Sequence, residues 1–423
     1  MTQCVVVADD LTGSCDAGHE FAKRGYDTRV VVSPRHDASM PESDVLVVNT
    51  ESRYAAPEVA AERVQTAFEE ADEAVVFKKV DSTLRGNVRV EVEAALEAVG
   101  ADFVLVAPAF PANGRLTAGG YHLVNGQLVT DTPAGQDAER PPPHDALSEF
   151  FAESEYATEH LGVEVVARGS AAVREALVSM RSDDEPLVVT CDALTEAHLT
   201  AVANAGADLT EQCLFVGSGG LARHILVPGA ASGTGIDIDE TRTAVGVSGS
   251  VAPETLAQID GLSRERRRKL DLELAVTDPS AAGADLSSRG MAAVDTHGGV
   301  LLHSAENGSD VERTLAAGEQ AGVDDTMVRR RVTDALATAA ADVVRDGQPS
   351  NLFLTGGATA IAVLDRLEAL ALRMSGDAVE PGIPLASVVG GVADGATVIT
   401  KAGGFGDEQA IIKSLARLGL ANE

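Results

Sequence analysis

The sequence predicts an α/β protein with two domains, each built on a mostly parallel sheet. Short runs of β-branched and apolar residues alternate with segments of helical period along nearly the whole chain, and this alternation is typical of parallel strands covered by helices. The length of 423 residues exceeds that of an ordinary single domain. A Pro/Gly/Ser-rich stretch at 228–235 is the clearest linker. It divides the chain into predicted domains at 1–235 and 236–423.

The first domain opens with a strand that is expected to be buried on both faces. Three β-branched residues in a row, at 5–7, are typical of a strand in a parallel sheet. A helix is expected from Asp16 to Arg24, with Ser14 or Asp16 as its N-cap and Gly25 as its stop. The other strands predicted in this domain span 28–32, 44–49, 74–77, 103–107, 163–166, 187–190 and 214–216; helices are predicted at 57–71, 88–99 and 195–204, and in the stretch that ends at 181.

The alternation of strands and helices is interrupted between residues 113 and 144, where Gly and Pro recur. A hairpin is predicted there across Asn125 and Gly126. A second α/β series begins near residue 243, and a long Ala-rich helix is predicted at 326–344. The strands predicted in this series span 244–247, 272–276, 300–302, 352–354, 385–389 and 398–400.

The charge of the chain is extreme and limits its partners. With 65 acidic and 33 basic residues, the formal net charge is -32. The acidic residues are spread over the whole length, which argues against nucleic acid as a partner because such binding needs basic patches. The same composition predicts a surface adapted to a salt-rich cytosol and hence a halophilic source, since salt screens self-repulsion.

The sequence carries no signal for a membrane or for secretion. No apolar run reaches the ~18 residues of a membrane span, and the start, Met-Thr-Gln-Cys, lacks the basic end and cleavage site of a signal peptide. We therefore expect a cytoplasmic protein. The four cysteines form no CxxC pair and the histidines show no matching ligand spacing, so neither a zinc site nor a disulfide framework is predicted. The sequence leaves the ligands of any metal unknown and is compatible with a homo-oligomer.

Three strands of the second domain end in loops of small residues. They are Ser248-Gly249-Ser250, the segment 355–359 and the segment 401–406. Glycine lets backbone N–H groups turn toward one point, and a helix N-terminus adds partial positive charge. These loops predict a polyphosphate or nucleotide site, although none matches the Walker pattern or the dinucleotide fingerprint. Lysine occurs at only six positions in the chain, so Lys401 is a candidate phosphate contact.

Polar residues also follow strands of the first domain. In an open α/β sheet, ligands bind beyond the carboxyl ends of the strands, and hydroxyls and carboxylates suit the hydroxyl groups of a sugar, while arginine suits a carboxylate. The alternative for Asp81 and Arg85 is an i,i+4 ion pair that caps a helix. Together the two domains predict an enzyme whose active site lies in the interdomain cleft, with a small polyol acid held by one domain and a nucleotide by the other. The candidates in the first domain are Asp9, Asp10, Thr12, Lys79, Asp81, Ser82, Arg85 and Arg115.

The chain resembles the four-carbon acid sugar kinase family. The resemblance is carried by residues 8–13 (ADDLTG), 79–86 (KVDSTLRG) and 108–115 (PAFPANGR). Later segments agree in order and position, and the match spans nearly the whole chain; these segments are GYH at 120–122, SGS at 248–250, GGAT at 356–359 and TKAGGFG at 400–406.

The resemblance implies an ATP-dependent kinase that phosphorylates the 4-hydroxyl of threonate, erythronate or 3-oxo-tetronate. It implies a sugar-acid domain followed by a nucleotide domain. ATP contacts carried over by motif fall on Ser248 or Ser250, on Gly356, Gly357, Ala358 and Thr359, and on Gly403, with Lys401 and Gly404 in the same loop. The chain departs from the family pattern at Ala358, where an acidic residue is usual, and at Val251-Ala252, where Cys-Ser is frequent.

For the chemistry, we expect one carboxylate to accept the proton of the 4-hydroxyl. Asp10 is the first candidate, and Asp407, which opens a helix after the last glycine loop, is the second; the alternative for Asp407, which the sequence favours, is an ordinary N-cap. Mg²⁺ is expected with the ATP phosphates. The alternatives are a kinase of a branched 3-oxo sugar acid and a non-catalytic sensor of sugar acid or nucleotide on the same fold.

Overall fold

The computed structural model describes residues 2–33, 42–69, 71, 74–137, 139–181, 185–229, 236, 238–239, 242–347 and 350–420. The chain divides into two compact units, Met1–Gly233 and Thr234–Glu423, called unit 1 and unit 2 here. Most of the predicted linker at 228–235 lies outside the described residues, since only Pro228 and Gly229 are among them. Among the helices that the described ranges contain, none is both long and apolar enough to cross a membrane.

Unit 1 contains eleven strands and eight helices within its described ranges. The strands are β1 Cys4–Ala8, β2 Thr28–Val31, β3 Val45–Asn49, β4 Val75–Lys79, β5 Phe103–Ala107, β6 Arg115–Ala118, β7 Tyr121–Val124, β8 Gln127–Leu128, β9 Ala157–Leu161, β10 Leu187–Cys191 and β11 Cys213–Gly217. The helices are α1 Leu11–Ala22, α2 Pro57–Phe68, α3 Val88–Val99, α4 Leu147–Phe150, α5 Val163–Val166, α6 Ser170–Met180, α7 Glu196–Ala207 and α8 Gly219–Ala222.

The main sheet of unit 1 is entirely parallel in the order β2-β3-β1-β4-β11-β5-β10-β9. Its central strands are apolar because helices cover both faces: all five residues of β1 and of β5 are buried. A small antiparallel sheet, β6-β7-β8, contains the predicted hairpin, with Asn125 and Gly126 both at positive φ. The carboxyl ends of the parallel strands therefore share one edge, as the sequence-based site requires.

Two local predictions in unit 1 were wrong. Residues 163–166 form α5 and not a strand, because the Val163 N–H donates to the Asp192 carboxylate (3.1 Å) and the Val166 N–H closes a helical turn on Gly162. The strand in this part of the chain is β9, an edge strand. Its residues alternate in exposure and several are polar, so it has no apolar run that would predict a strand. The helix after β1 begins at Leu11, and its N-cap is Asp10, which accepts the Gly13 N–H (2.8 Å) in place of Ser14 or Asp16.

Unit 2 contains seven strands and seven helices within its described ranges. The strands are β12 Thr243–Ser248, β13 Arg267–Lys269, β14 Gly299–His303, β15 Ser350–Thr355, β16 Ala371–Glu380, β17 Ile383–Val389 and β18 Thr397–Lys401. The helices are α9 Pro253–Asp260, α10 Leu272–Thr277, α11 Pro279–His297, α12 Gly308–Gln320, α13 Asp325–Asp346, α14 Gly357–Arg366 and α15 Ala410–Arg417.

The strands of unit 2 run in the order β13-β14-β12-β15-β18-β17-β16, parallel as far as β18 and antiparallel beyond it. The α/β class with mostly parallel sheets is thus confirmed. The strand predicted at 272–276 is wrong: this apolar run is α10, started by the Asp271 carboxylate, which accepts the Leu274 N–H (3.0 Å). The strand there is β13, whose three basic residues give no apolar signal. The long β16 was not predicted either.

Candidate active site

Both carboxylates at the end of β1 bind one buried guanidinium. Arg53 donates through Nε and Nη2 to Asp9 (2.7 and 3.0 Å) and through Nη1 and Nη2 to Asp10 (2.9 and 2.7 Å). Burial opposes ionisation of Asp9, but the charge and hydrogen bonds of Arg53, with the charges of Lys78 and Lys79, lower its pKa. Two carboxylates and one arginine thus form a fixed, charged platform at this sheet edge.

Arg53 is a residue that the sequence reasoning missed. It lies in the loop after β3, 44 positions from Asp9, and the strand-end rule would have found it if applied there. Two neighbours hold this loop. A Cβ at Gly86 (φ +95°) would lie 2.8 Å from Arg53 Cγ, and the Asn87 side chain donates to the carbonyls of Ser52 (2.8 Å) and Ala55 (3.0 Å). The glycine in the segment DSTLRG is therefore required by a close approach.

Asp81 and Arg85 form a two-pronged ion pair. The Arg85 Nε and Nη2 donate to Asp81 at 2.6 and 3.2 Å, and the Thr83 hydroxyl donates to the same carboxylate at 2.5 Å. The pair lies in the turn before α3, whose N-cap is Asn87, so it does not cap that helix. Burial opposes ionisation, but Arg53, 3.9 Å away, and Arg85 hold the pKa of Asp81 well below its usual range.

The two adjacent lysines have different surroundings. Lys78 is fully buried and pairs with Glu91 (2.7 Å), so it belongs to the core. Lys79 is also buried, but its Nζ donates to the Val80 carbonyl (2.9 Å) and lies 3.0 Å from where a Cβ of Gly13 would be. That same Cβ would lie 2.5 Å from Asp10 Oδ1. Lys79 therefore reaches the first turn of α1, where Thr12 is half-buried, and Gly13 must remain glycine.

The small sheet positions Ser82 and supplies Arg115. The buried His122 donates from Nε2 to the Ser82 carbonyl (2.9 Å), and burial lowers its pKa, which favours the neutral ring. Arg115 begins β6 and donates from Nη1 to the Asn113 carbonyl. Its Nε is buried and has no hydrogen-bond partner among the described residues. Arg115 thus keeps donor capacity for a ligand, whereas the fork of Arg85 is already occupied.

In unit 2 the predicted glycine loop after β12 touches each of the other two predicted glycine loops. A Cβ at Gly249 would lie 2.0 Å from Thr359 Oγ1, one at Gly403 would lie 2.5 Å from Ser250 Oγ, and one at Gly356 (φ +97°) would lie 3.1 Å from the Ser250 nitrogen. The loop after β12 is therefore packed between the loops after β15 and β18. Only residues without side chains permit this close approach, which brings the backbones of the three loops to one edge of the sheet.

Buried hydroxyls line the same strand ends. The side-chain oxygens of Ser248, Ser304 and Thr355 are buried and have no hydrogen-bond partner among the described residues. Ser248 is directly opposite Thr355 in the register of β12 and β15, and the Ser304 N–H donates to the Ser248 carbonyl. Buried polar atoms normally find a partner. Hydroxyls beside the first turn of α14, which contains Gly357, Ala358 and Thr359, suit phosphate oxygens as that partner.

Lys401 organises this edge. Its Nζ donates to Thr255 Oγ1 (3.0 Å) and to the carbonyls of Ala402 (3.0 Å) and Gly403 (2.9 Å), which uses all three of its hydrogens. Burial lowers its pKa to about 8. Its charge can act on a phosphate, but its hydrogen bonds hold the loop that contains Gly403 and Gly404.

Asp407 is more exposed than the residues above. Its carboxylate accepts the Gln409 N–H (2.9 Å) and pairs with Lys413 (2.6 Å), just before α15 begins at Ala410. The N-cap of α15 is Gln409, so the alternative N-cap role predicted for Asp407 is wrong, and its carboxylate instead forms a surface ion pair. Its candidacy as a base stays a prediction.

A cavity of about 480 Å³ lies in unit 2 between the start of α9 and the loop after β14. The chain leaves β12 toward β13 on one side and leaves β14 toward β15 on the other, so this crevice lies at a topological switch point of the sheet. The buried Nε of Arg267 has no partner among the described residues. The cavity is lined by Pro253, Leu256, Ala257, Asp260, Arg264, Arg267, Glu306 and Asn307.

Fold and site thus define a two-unit α/β protein, with a polar, charged strand-end site in unit 1 and a glycine-lined one in unit 2. Comparison with known families agrees. Residues 4–225 match the family model described as sugar-binding N-terminal domain, and residues 245–411 match the nucleotide-binding C-terminal domain.

Curated relatives match over almost the full chain. A D-threonate kinase of Salmonella typhimurium is 32% identical, with 97% of both chains covered. A 3-oxo-tetronate kinase of Pseudomonas fluorescens is 30% identical, with 97% of this chain and 96% of the relative covered, and a D-erythronate kinase of Heliobacterium modesticaldum is 28% identical, with 97% and 95% covered. The chain belongs to the four-carbon acid sugar kinase family.

Solved structures support the fold. A protein of Salmonella typhimurium described as a putative tRNA synthase superposes with a TM-score of 0.82 at 22% identity, covering 99% of this chain and 100% of that one. A Haemophilus influenzae protein superposes with a TM-score of 0.74 at 21% identity, covering 98% and 100%. At these identities the likeness concerns the fold alone.

Proposed function

We propose that the chain is an ATP-dependent kinase that phosphorylates the 4-hydroxyl of a four-carbon acid sugar, with threonate, erythronate and 3-oxo-tetronate as candidates. The observation that carries the proposal is the pair of strand-end sites with different chemistry. Unit 1 offers charged and hydroxyl groups suited to a polyol acid, and unit 2 offers glycine loops and unpaired hydroxyls suited to phosphates. We keep 1–235 as the sugar-acid domain and 236–423 as the nucleotide domain.

In unit 1, Arg115 is the favoured ligand of the substrate carboxylate. Its Nε is unpaired, while Arg85 already holds Asp81 with two prongs. The hydroxyls of the sugar acid would bind to the polar groups around the platform, and Arg53 would keep the Asp9 carboxylate ionised. This hydroxyl-binding set is Asp9, Asp10, Thr12, Lys79, Asp81 and Ser82, with Arg85 as a second ligand of the carboxylate.

In unit 2, the phosphates of ATP would lie on the three touching loops. The contacts are backbone N–H groups and hydroxyls, so Ala358, an exposed residue in the first turn of α14, can take part through its backbone. The adenosine moiety would occupy the crevice beside α9, which is of ordinary size for a small-molecule site. The phosphate contacts are Ser248, Ser250, Gly356, Gly357, Ala358, Thr359, Gly403 and Gly404, with the charge of Lys401 nearby.

Mg²⁺ is part of the proposal because it accompanies ATP phosphates. In the described ranges no group of three His, Cys, Asp or Glu side chains could hold a metal by itself, which suits an ion bound mainly through phosphate and water. Glu254 is the carboxylate beside these loops: its Oε2 lies 4.0 Å from where a Cβ of Gly404 would be, and its charge acts on Lys401. Bound there, Mg²⁺ would neutralise charge that develops on the phosphates.

The proposal includes a cytoplasmic location, where ATP is available, and a salt-rich cytosol, which suits a net charge of -32. The experiment that tests the function is an ATP-consumption assay in molar KCl with each candidate acid added separately. ADP formation that depends on one acid supports a kinase. Nucleotide and acid binding without turnover would indicate a sensor, and turnover only with a branched 3-oxo acid would change the substrate.

A further inference from the structure

At the sugar-acid site, one carboxylate differs from the others because no residue in the described part of the chain pairs with it. Asp9 and Asp10 are bound by Arg53, and Asp81 is bound by Arg85 and Thr83. Asp16, in the second turn of α1, accepts no hydrogen bond and forms no ion pair within the described ranges. Its carboxylate therefore keeps all of its lone pairs available for a ligand.

Asp16 is enclosed by elements of the same strand-end site. A Cβ at Gly219 would lie 2.4 Å from Asp16 Oδ2 and 3.1 Å from the ring of Phe110, so the backbone at the start of α8 lies against the carboxylate. This contact explains why Gly219 is a glycine, a residue that the nucleotide and sugar-acid assignments do not use. Asp16 and Thr12 are four residues apart on α1 and share one helix face.

The charges that face Asp16 come from four elements. Lys79 approaches from β4 and Arg223 from the end of α8, while Asp10 and Glu20 flank it on α1. Arg115 of β6 also lies near Asp16: the charge of Asp16 acts to raise the pKa of Arg115, against the larger lowering effect of burial. Burial, reinforced by Glu20 and Asp10 and opposed by Lys79 and Arg223, raises the pKa of Asp16 to about 6.

The proton acceptor of the reaction needs a free lone pair and must be ionised at neutral pH. A carboxylate that already accepts two or more hydrogen bonds from arginine is a poor base, because those bonds stabilise its charged form. This argument weighs against Asp10, Asp9 and Asp81, which position Arg53 and Arg85. Asp16 is held close to these groups by the same strand ends but is not neutralised by a direct pair.

We propose that Asp16 accepts the proton of the sugar-acid hydroxyl during phosphoryl transfer. This inference rests on the proposed kinase function. In the step, the hydroxyl oxygen forms a bond to the γ-phosphorus, and the bond from that phosphorus to the β–γ bridging oxygen breaks. ADP leaves with the electron pair, and the hydroxyl proton moves to a carboxylate oxygen of Asp16, from which solvent removes it after product release.

The test compares Asp16→Asn with Asp10→Asn in steady-state kinetics over pH 5–9. Asp16→Asn is expected to lower kcat by about 10²–10⁴-fold, with the KM of each substrate within about threefold of wild type on the same argument, since the amide still fills the space. The rise of kcat/KM through pH 6 should disappear. Asp10→Asn should mainly raise the KM of the acid and keep that rise.

Thermal unfolding supplies a readout that a merely structural role would not give. Because the folded-state pKa of Asp16 is raised, the stability it contributes is present below about pH 4 and is lost as the pH rises through 6. Asp16→Asn should therefore have a higher Tm than wild type at pH 7.5 and an equal one at pH 4. A lower Tm at pH 7.5, together with lost activity, would overturn the proposal in favour of a packing role.

The competing group is Glu51, which accepts the Leu11 N–H at 3.2 Å. Burial and the nearby charge of Asp10 raise the pKa of Glu51 to about 7. If Glu51→Gln removes the rise of kcat/KM near pH 6 and Asp16→Asn keeps kcat within threefold of wild type, Asp16 is not the base, although the kinase function stands. If wild-type protein transfers no phosphate to any candidate acid, the proposed function fails and this inference fails with it.

Discussion

The two strand-end sites use opposite means to do comparable work. Unit 1 gathers charges, with Arg53 bound to Asp9 and Asp10 and Arg85 bound to Asp81. Unit 2 removes side chains, so that Gly249, Gly356 and Gly403 bring three loops into contact. A small polyol acid differs from its relatives by single hydroxyls, and only placed side chains can discriminate among them. A triphosphate is repetitive, and backbone amides are sufficient to hold it.

The difference predicts that unit 1 tolerates few changes of charge. Arg53→Met should abolish activity and lower the free energy of unfolding by about 3–5 kcal/mol, because it leaves two carboxylates without their partner. Urea unfolding followed by circular dichroism in molar salt measures this. Arg330→Met is the matched control: its pair with Asp334 is exposed, and it should change stability by less than about 1 kcal/mol. If both variants lose the same free energy of unfolding, the claim that Arg53 stabilises a buried pair of carboxylates is contradicted.

Unit 2, by contrast, should be more sensitive to added volume than to changes of charge. Gly249→Ala places a Cβ 2.0 Å from the β-branched Thr359, which must move. We expect the KM of ATP to rise about 10–100-fold, a loss of ~1.4–2.7 kcal/mol, with the KM of the acid unchanged. The matched control is Gly308→Ala, where a Cβ would meet no atom within 4 Å, and it should behave as wild type. A loss confined to acid binding would contradict the assignment of unit 2.

The crevice beside α9 separates base recognition from phosphate recognition. Ala257 lines it and is exposed, so Ala257→Trp should fill the cavity without disturbing the core. The affinity for ATP, measured by calorimetry, should fall about tenfold, the order of ~1.4 kcal/mol, while inorganic tripolyphosphate binds as to wild type. If both ligands weaken equally, the adenosine lies elsewhere.

The smallest effect concerns Lys401. Burial lowers its pKa to about 8, so its charge is lost as the pH rises above 8, and ATP binding should weaken a few-fold between pH 7 and 9.5. Folding stability has the opposite sign. The unfolded lysine binds a proton up to about pH 10.5, so the contribution of Lys401 to stability rises with pH between 8 and 10.5. Lys401→Met should abolish this pH dependence of ATP binding.

Sequence patterns predicted the strand ends well because burial on both faces of a parallel sheet leaves long apolar runs, as in β1 and β5. The same logic failed where strands lie at an edge. Strand β9 has alternating exposed and less exposed residues, and β13 is basic, so neither gives an apolar run. The apolar runs at 163–166 and 272–276 form helices instead, because the carboxylates of Asp192 and Asp271 accept backbone N–H groups at the helix starts.

The glycine loops were predictable because each follows its own strand, and parallel strand ends share an edge. The pairing of Arg53 with Asp9 and Asp10 and the unpaired state of Asp16 were not predictable from spacing. The first depends on a partner 44 residues away, and the second depends on which arginine each carboxylate obtains after folding. Pairing between distant side chains is a property of the tertiary structure, and sequence periodicity carries no information about it.

The central claim is that the unit 1 site holds the acid whose hydroxyl receives the phosphate. The most direct measurement is ³¹P and ¹³C NMR of the product formed from ATP and each candidate acid by wild-type protein in molar KCl. The account predicts ADP and a single phosphate ester on carbon 4, with no turnover by Arg115→Met and unchanged ATP binding by that variant. An ester at another carbon, or full turnover by Arg115→Met, would contradict it.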